Sequence, residues 1–219
     1  MKKNLTRFLL PLGLLTAFIL WTAALFRVDV QPIGPGGSCV GFAALNGFVH
    51  RLTGVNMTLY TVTDWLGLVP VGICLAFALL GLGQWIRRRS LRRVDRSILV
   101  LGGFYLVVIF CYLFFEAFVV NRRPVLIGGV LEASYPSSTT LLVLCVIPTA
   151  ILQLRGRIRR RWLSRTISAL LTAFLAFMVV GRLLSGVHWI TDIIGGGLLS
   201  AGLVTLYRAF VPALSDKTA

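Results

Sequence analysis

Residues 181–192 read Gly-Arg-Leu-Leu-Ser-Gly-Val-His-Trp-Ile-Thr-Asp, which sets Arg182, His188 and Asp192 in an otherwise apolar part of the chain. Ionisable groups at membrane depth are costly unless they face a cavity or a partner, so their presence here points to a site. Asp192 follows His188 by four residues, and on one helix the two side chains share a face and can hydrogen-bond. A carboxylate on one imidazole nitrogen fixes the tautomer and leaves the other nitrogen as a nucleophile. Arg182 lies six residues before His188, on a different face of any unbroken helix. Ser185-Gly186 supplies the break that lets Arg182 end one helix and His188 begin the next. The planar fork of an arginine suits phosphate oxygens, so the combination reads as phosphoryl chemistry. The plainer alternative is a structural polar pair at a helix start.

Two other pieces carry related groups. Asn121-Arg122-Arg123-Pro124 follows an apolar run that ends near Glu116, and its arginines are either phosphate ligands or interfacial residues that reach for water. Pro136-Ser137-Ser138-Thr139-Thr140 opens another apolar run. A proline before hydroxyl residues reads as a helix N-cap, whose free backbone N–H groups form an anion site. An ordinary capped helix is the alternative.

The elements that must position these groups follow from composition. A chain of 219 residues that is 57% hydrophobic and 13% charged cannot hide its apolar residues in a water-soluble core. It is an integral membrane protein. A bilayer core about 30 Å thick takes around 20 apolar residues as a helix. Six such spans are predicted, at roughly 8–27, 65–86, 97–120, 137–154, 166–184 and 189–211. The fold expected is all-α, a six-span transmembrane bundle forming one domain over 1–219, because in lipid a helix satisfies its own backbone hydrogen bonds. Met1-Lys2-Lys3 before an apolar run is signal-like, but the run from Phe8 to Phe26 is long for a leader and is taken as an uncleaved first span. Cys39, Cys74, Cys111 and Cys145 are scattered without paired spacing, which argues against a disulfide framework or a zinc site.

A net charge of +15 would fit nucleic acid only if it lined one soluble face. Instead it falls in short runs between apolar segments and marks topology. Lys2, Lys3 and Arg7, the arginines of 87–96, those of 155–165, Arg208 and Lys217 belong on the cytoplasmic side. Both termini are then inside, and segments 28–64, 121–136 and 185–188 share the opposite side. In the first of these, turn-forming residues 31–37 precede Phe42 to Leu52, whose apolar residues recur at helical spacing. This predicts an interfacial helix that serves as a lid or packing element, or that guides a lipid.

Arg123-Pro124, Pro136-Ser137, and Arg182 with His188 and Asp192 at their present spacing resemble the three signature motifs of the type-2 phosphatidic acid phosphatase superfamily. The resemblance covers the outer ends of spans three to six. It implies a phosphatase that uses neither metal nor other cofactor, in which His188 attacks phosphorus to form a phosphohistidine and Asp192 orients it. Arg123, Arg182, Ser137 and Ser138 would hold the phosphate. The sequence departs from the family pattern twice. Glu116 stands where the first motif has a lysine, leaving Arg122 as the candidate replacement for that charge. Thr139 stands where the second motif has the histidine that protonates the leaving group. A free carboxylate would repel phosphate, so Glu116 is expected to pair with Arg122 or Arg123, or to point away. Thr139 can contact a leaving group but cannot act as its acid, and His50, the other histidine, is a candidate substitute.

A positioned acid contributes about 10²–10⁴ in rate. An alkoxide needs that help, whereas a phosphate leaving group, with a second pKa of about 6, needs little. The sequence therefore favours a polyprenyl diphosphate, such as undecaprenyl diphosphate, cleaved at the outer face of a bacterial plasma membrane. A catalytically degenerate protein that binds or transports a lipid phosphate, and a lipid phosphotransferase, use the same residues and remain as alternatives. The implied partners are the bilayer and a lipid phosphate, not nucleic acid.

Overall fold

The computed structural model describes residues 2–215; Met1 and residues 216–219, Lys217 among them, lie outside the described residues. The described chain is all-α. Its helices are α1 (Lys2–Leu25), α2 (Ala43–Thr53), α3 (Met57–Leu66), α4 (Leu68–Arg88), α5 (Arg96–Ala117), α6 (Ser138–Arg157), α7 (Arg161–Leu184) and α8 (Ile190–Ser215). Six helical stretches are long and apolar enough to cross a membrane, with α3 and α4 together forming one of them, Met57–Arg88.

The bundle is built around α6 and α8. Val143, Cys145, Val146, Ile147 and Ala150 of α6 are fully enclosed, and α8 buries Leu199, Leu203 and Tyr207 against α1, α5 and α6. By contrast α5 exposes Leu106, Ile109, Phe110 and Leu113. A helix that is apolar on every side is stable with such exposure only where lipid covers it. The four cysteines are free.

One difference from expectation bears on the site. The second span begins at Met57 rather than near 65, and at about 1.5 Å per residue its 32 residues exceed what the bilayer core requires. The surplus is α3, capped by Asn56, whose side chain accepts from the Leu59 amide at 2.9 Å. It packs on α7 and carries Tyr60 and Asp64 to the end of the bundle where Arg182 lies.

The segments expected on the outer side meet at that same end. Asn46 of α2 donates to Thr191 at 3.0 Å, the Asn56 amide donates to Ser185, and the Trp189 indole donates to the Arg122 carbonyl at 2.8 Å. Leu45, Phe48 and Leu52 form an exposed apolar stripe on α2, the pattern expected of an interfacial helix. At the opposite end Asp95 joins the two arginine-rich connections. It accepts from Gln84 at 2.8 Å and pairs with Arg88 and Arg157.

Candidate active site

Local backbone chemistry explains how the site forms. Helix α7 ends at Leu184; Ser185 keeps helical dihedrals and Gly186 turns to φ +66. A Cβ on Gly186 would lie 1.8 Å from the Gly54 carbonyl oxygen, so glycine is required for both conformation and space. The break delivers Val187-His188-Trp189 to the mouth of α8. There Asp192 accepts from the Trp189 amide at 2.9 Å, the reciprocal half of a capping box.

Residues 121–134 form a short hairpin. Arg123 N–H donates to the Glu132 carbonyl, Ser134 N–H donates to that of Asn121, and Ile127 and Val130 exchange both bonds. Its tip is Gly128-Gly129 with φ +57 and +83, the signs a type I′ turn needs. Side chains along such a ladder alternate between faces, so Asn121 and Arg123 point one way and Arg122 the other. Arg123 is accordingly buried. Arg122 is exposed, and its guanidinium donates to the Leu131 carbonyl at 2.9 Å.

These pieces converge on His188, which is 4% exposed. Its Nδ1 is 3.9 Å from Asp192 Oδ2, too far for a direct hydrogen bond. Ser134 fills the gap, with its Oγ 3.0 Å from Nδ1 and 2.5 Å from Oδ2. A carboxylate oxygen can only accept, so the Ser134 hydroxyl donates to Asp192 and its oxygen accepts Nδ1–H. Asn121 Nδ2 donates to the other carboxylate oxygen at 3.3 Å. The relay fixes the tautomer that leaves Nε2 unprotonated. Burial, with the facing charges of Arg123 and Arg182 and against the pull of Asp192, holds the imidazole down to about 4, so it is neutral near pH 7.

Arg182 Nη2 lies 3.3 Å from His188 Nε2, and its Nη1 is 3.5 Å from Asp64. Arg123 Nε is 3.1 Å from a Glu132 carboxylate oxygen. The Tyr60 ring faces both guanidinium groups, with centroid distances of 5.0 Å to Arg182 and 5.8 Å to Arg123. Among the described residues three buried guanidinium donors, Arg123 Nε and Nη1 and Arg182 Nε, have no hydrogen-bond partner, and Arg123 Nε keeps only its ion pair with Glu132. Buried donors are rarely left unpaired, and an incoming anion would satisfy these.

A cavity of about 20 Å³ lies beside His188, with Arg123, Ser134, Ser138, Tyr112 and Glu116 among its walls. That is room for about one water-sized group, so a phosphate must displace side chains at its rim. Next to it an apolar groove of about 450 Å³ shares Tyr112, Ser138 and Leu141 with the cavity. A second groove of about 660 Å³ between α4 and α5 continues from Val71 and Ile109 of the first.

Of the residues expected at the site, the structure brings together His188, Asp192, Arg123, Arg182 and Ser138. Arg122 is excluded by the hairpin alternation. Ser137 is wholly enclosed; its amide donates to the Asp192 carbonyl at 3.1 Å and its hydroxyl accepts from Thr140, so the capping residue ties α6 to α8 and presents no free N–H. Thr139, one helical step beyond Ser138, lines the apolar groove and not the His188 cavity. The His50 ring lies tilted against Trp189 with centroids 5.4 Å apart, and partial burial lowers its pKa. Glu116 corrects the expectation made for it: it pairs with neither Arg122 nor Arg123 and faces the cavity, because Glu132 has taken Arg123. Sequence reasoning missed Tyr60, Asp64, Asn121 and Ser134. The available signals were the Gly128-Gly129 turn, which registers Asn121 against Ser134, and an aspartate inside an apolar run.

No family model and no curated sequence matches the chain. A solved structure does: the first transmembrane PAP2 type phosphatidylglycerolphosphate phosphatase from Bacillus subtilis, with a TM-score of 0.55 over 96% of this chain and 98% of that one, at 18% identity. This chain is a multi-pass helical membrane protein with the fold of a PAP2-type phosphatase.

Proposed function

We propose that this protein is a membrane lipid phosphatase that works through a phosphohistidine on His188. The observation that carries the reading is a buried imidazole held by Ser134 and Asp192, with Nε2 3.3 Å from Arg182 and with unpartnered donors on Arg182 and Arg123. Nε2 attacks the terminal phosphorus as the bond to the leaving oxygen breaks, and water then releases phosphate from the histidine. Arg182 moves from Nε2 onto the phosphate oxygens, joined by Arg123 and by Ser138 at the cavity wall.

The substrate we favour is a polyprenyl diphosphate, such as undecaprenyl diphosphate, approached from the outer face of a bacterial plasma membrane. Thr139 lies outside the cavity, so the position that carries the family's acid places none on the leaving oxygen, and a phosphate leaving group is least harmed by that. The two grooves join end to end along α4 and α5, which suits one long apolar chain. The solved relative is named for a phosphomonoester lipid, and that substrate class is the competitor. The departures at Glu116 and Thr139 also favour a second reading, a protein that binds lipid phosphate without turning it over.

The test is phosphate release from undecaprenyl diphosphate and from phosphatidylglycerol phosphate by wild type and His188→Ala. We expect faster turnover of the diphosphate and its loss in the variant. Preference for the monoester overturns the substrate, and absence of turnover by wild type with lipid binding retained supports the binding protein.

A further inference from the structure

Hydrolysis of a phosphohistidine needs a base for the attacking water, whatever the first leaving group was. The carboxylates around His188 are not equivalent in this respect. Asp192 is wholly enclosed behind the imidazole and already accepts from Ser134, the Trp189 amide and Asn121. Glu132 is committed to Arg123, and Asp64 to Arg182. Glu116 differs from all three. It sits in the last turn of α5, lines the His188 cavity together with Arg123 and Ser138, and among the described residues forms no ion pair. The cavity holds about one water-sized group, and Glu116 and His188 both line it.

We propose that Glu116 is the general base of the second half-reaction. This rests on the phosphohistidine reading above. Water oxygen forms the new bond to phosphorus, the P–Nε2 bond breaks, and its electron pair returns to Nε2. One water proton passes to the Glu116 carboxylate and then to solvent, and inorganic phosphate leaves. A carboxylate oxygen can accept a proton from water, whereas a lysine there could only donate to phosphate. The repulsion that Glu116 imposes on an incoming phosphate is offset by Arg123 and Arg182.

The experiment is Glu116→Gln, assayed with a prenyl diphosphate carrying ³²P on its terminal phosphorus. A positioned base contributes about 10²–10⁴ in rate, so steady-state turnover should fall at least about 10²-fold. The first turnover should persist as a burst of prenyl monophosphate equal to the enzyme, with label held as an acid-labile, alkali-stable phosphoenzyme. Glu116→Asp should restore part of the turnover. Unchanged turnover in Glu116→Gln, or equal slowing of both half-reactions without trapped label, overturns the role of Glu116. If His188→Ala is inactive in the same assay, the phosphohistidine reading survives that result. If His188→Ala stays active, both fall.

Discussion

Replacing Ser134 by alanine tests whether His188 and Asp192 communicate directly or through a hydroxyl. With Oγ removed, Nδ1 and Oδ2 are left 3.9 Å apart with nothing between them. The imidazole loses its only acceptor at Nδ1, and Asp192 loses the shortest of its three donors. A hydrogen bond to a charged group contributes about 1.5–3 kcal/mol. At about 1.4 kcal/mol per decade, phosphoryl transfer to His188 should slow by about 10- to 10²-fold. Serine to threonine keeps the hydroxyl and should lose less. The assay is single-turnover release of prenyl monophosphate, which isolates attack by Nε2 from the later hydrolysis. Substrate affinity should change less than the rate, because the Ser134 hydroxyl meets Nδ1, the ring nitrogen opposite Nε2 and Arg182. A Ser134→Ala rate within threefold of wild type, beside a large loss in Asp192→Asn, would refute the relay and require the side chains to meet directly.

Two further outcomes follow from the geometry. Because the folded pKa of His188 is held down to about 4, its imidazole stays neutral as pH falls from 7 to 5 and becomes protonated only below that. Diethylpyrocarbonate modifies neutral imidazole alone, so in a His50→Gln background its reaction should persist at pH 5 and fall about tenfold per unit below about 4; a midpoint near 6.5 contradicts the buried site. Gly186→Ala must accommodate both φ +66 and a carbonyl oxygen 1.8 Å from its Cβ, a strain of at least about 1–3 kcal/mol. The detergent-solubilised variant should unfold at lower temperature than Gly72→Ala, where nothing lies within 4 Å; equal melting temperatures refute the claim.

Much of the fold was legible because a membrane imposes its own grammar. Apolar runs of sufficient length marked the spans, arginine runs marked one end, and Ser185-Gly186 marked the break that frees His188 from α7. The expected pairing of Asp192 with His188 on one helix was only partly right: His188 lies two residues before α8 and reaches Asp192 through Ser134. What remained hidden lay where that period does not apply. The ladder from Asn121 to Ser134 is held by isolated bridges too short to show alternation in the sequence, and its register exists only once Gly128-Gly129 closes the turn. That register decides three things together. It turns Arg122 outward, turns Arg123 inward, and seats Ser134 between His188 and Asp192. The same closure brings Glu132 onto Arg123, and so leaves Glu116 without the partner expected of it. A two-glycine turn thus decides which carboxylate pairs with Arg123, and in the proposed mechanism it leaves Glu116 to take the proton. An insertion of one residue at this turn should therefore disturb both half-reactions, while a substitution at Glu116 disturbs only the second.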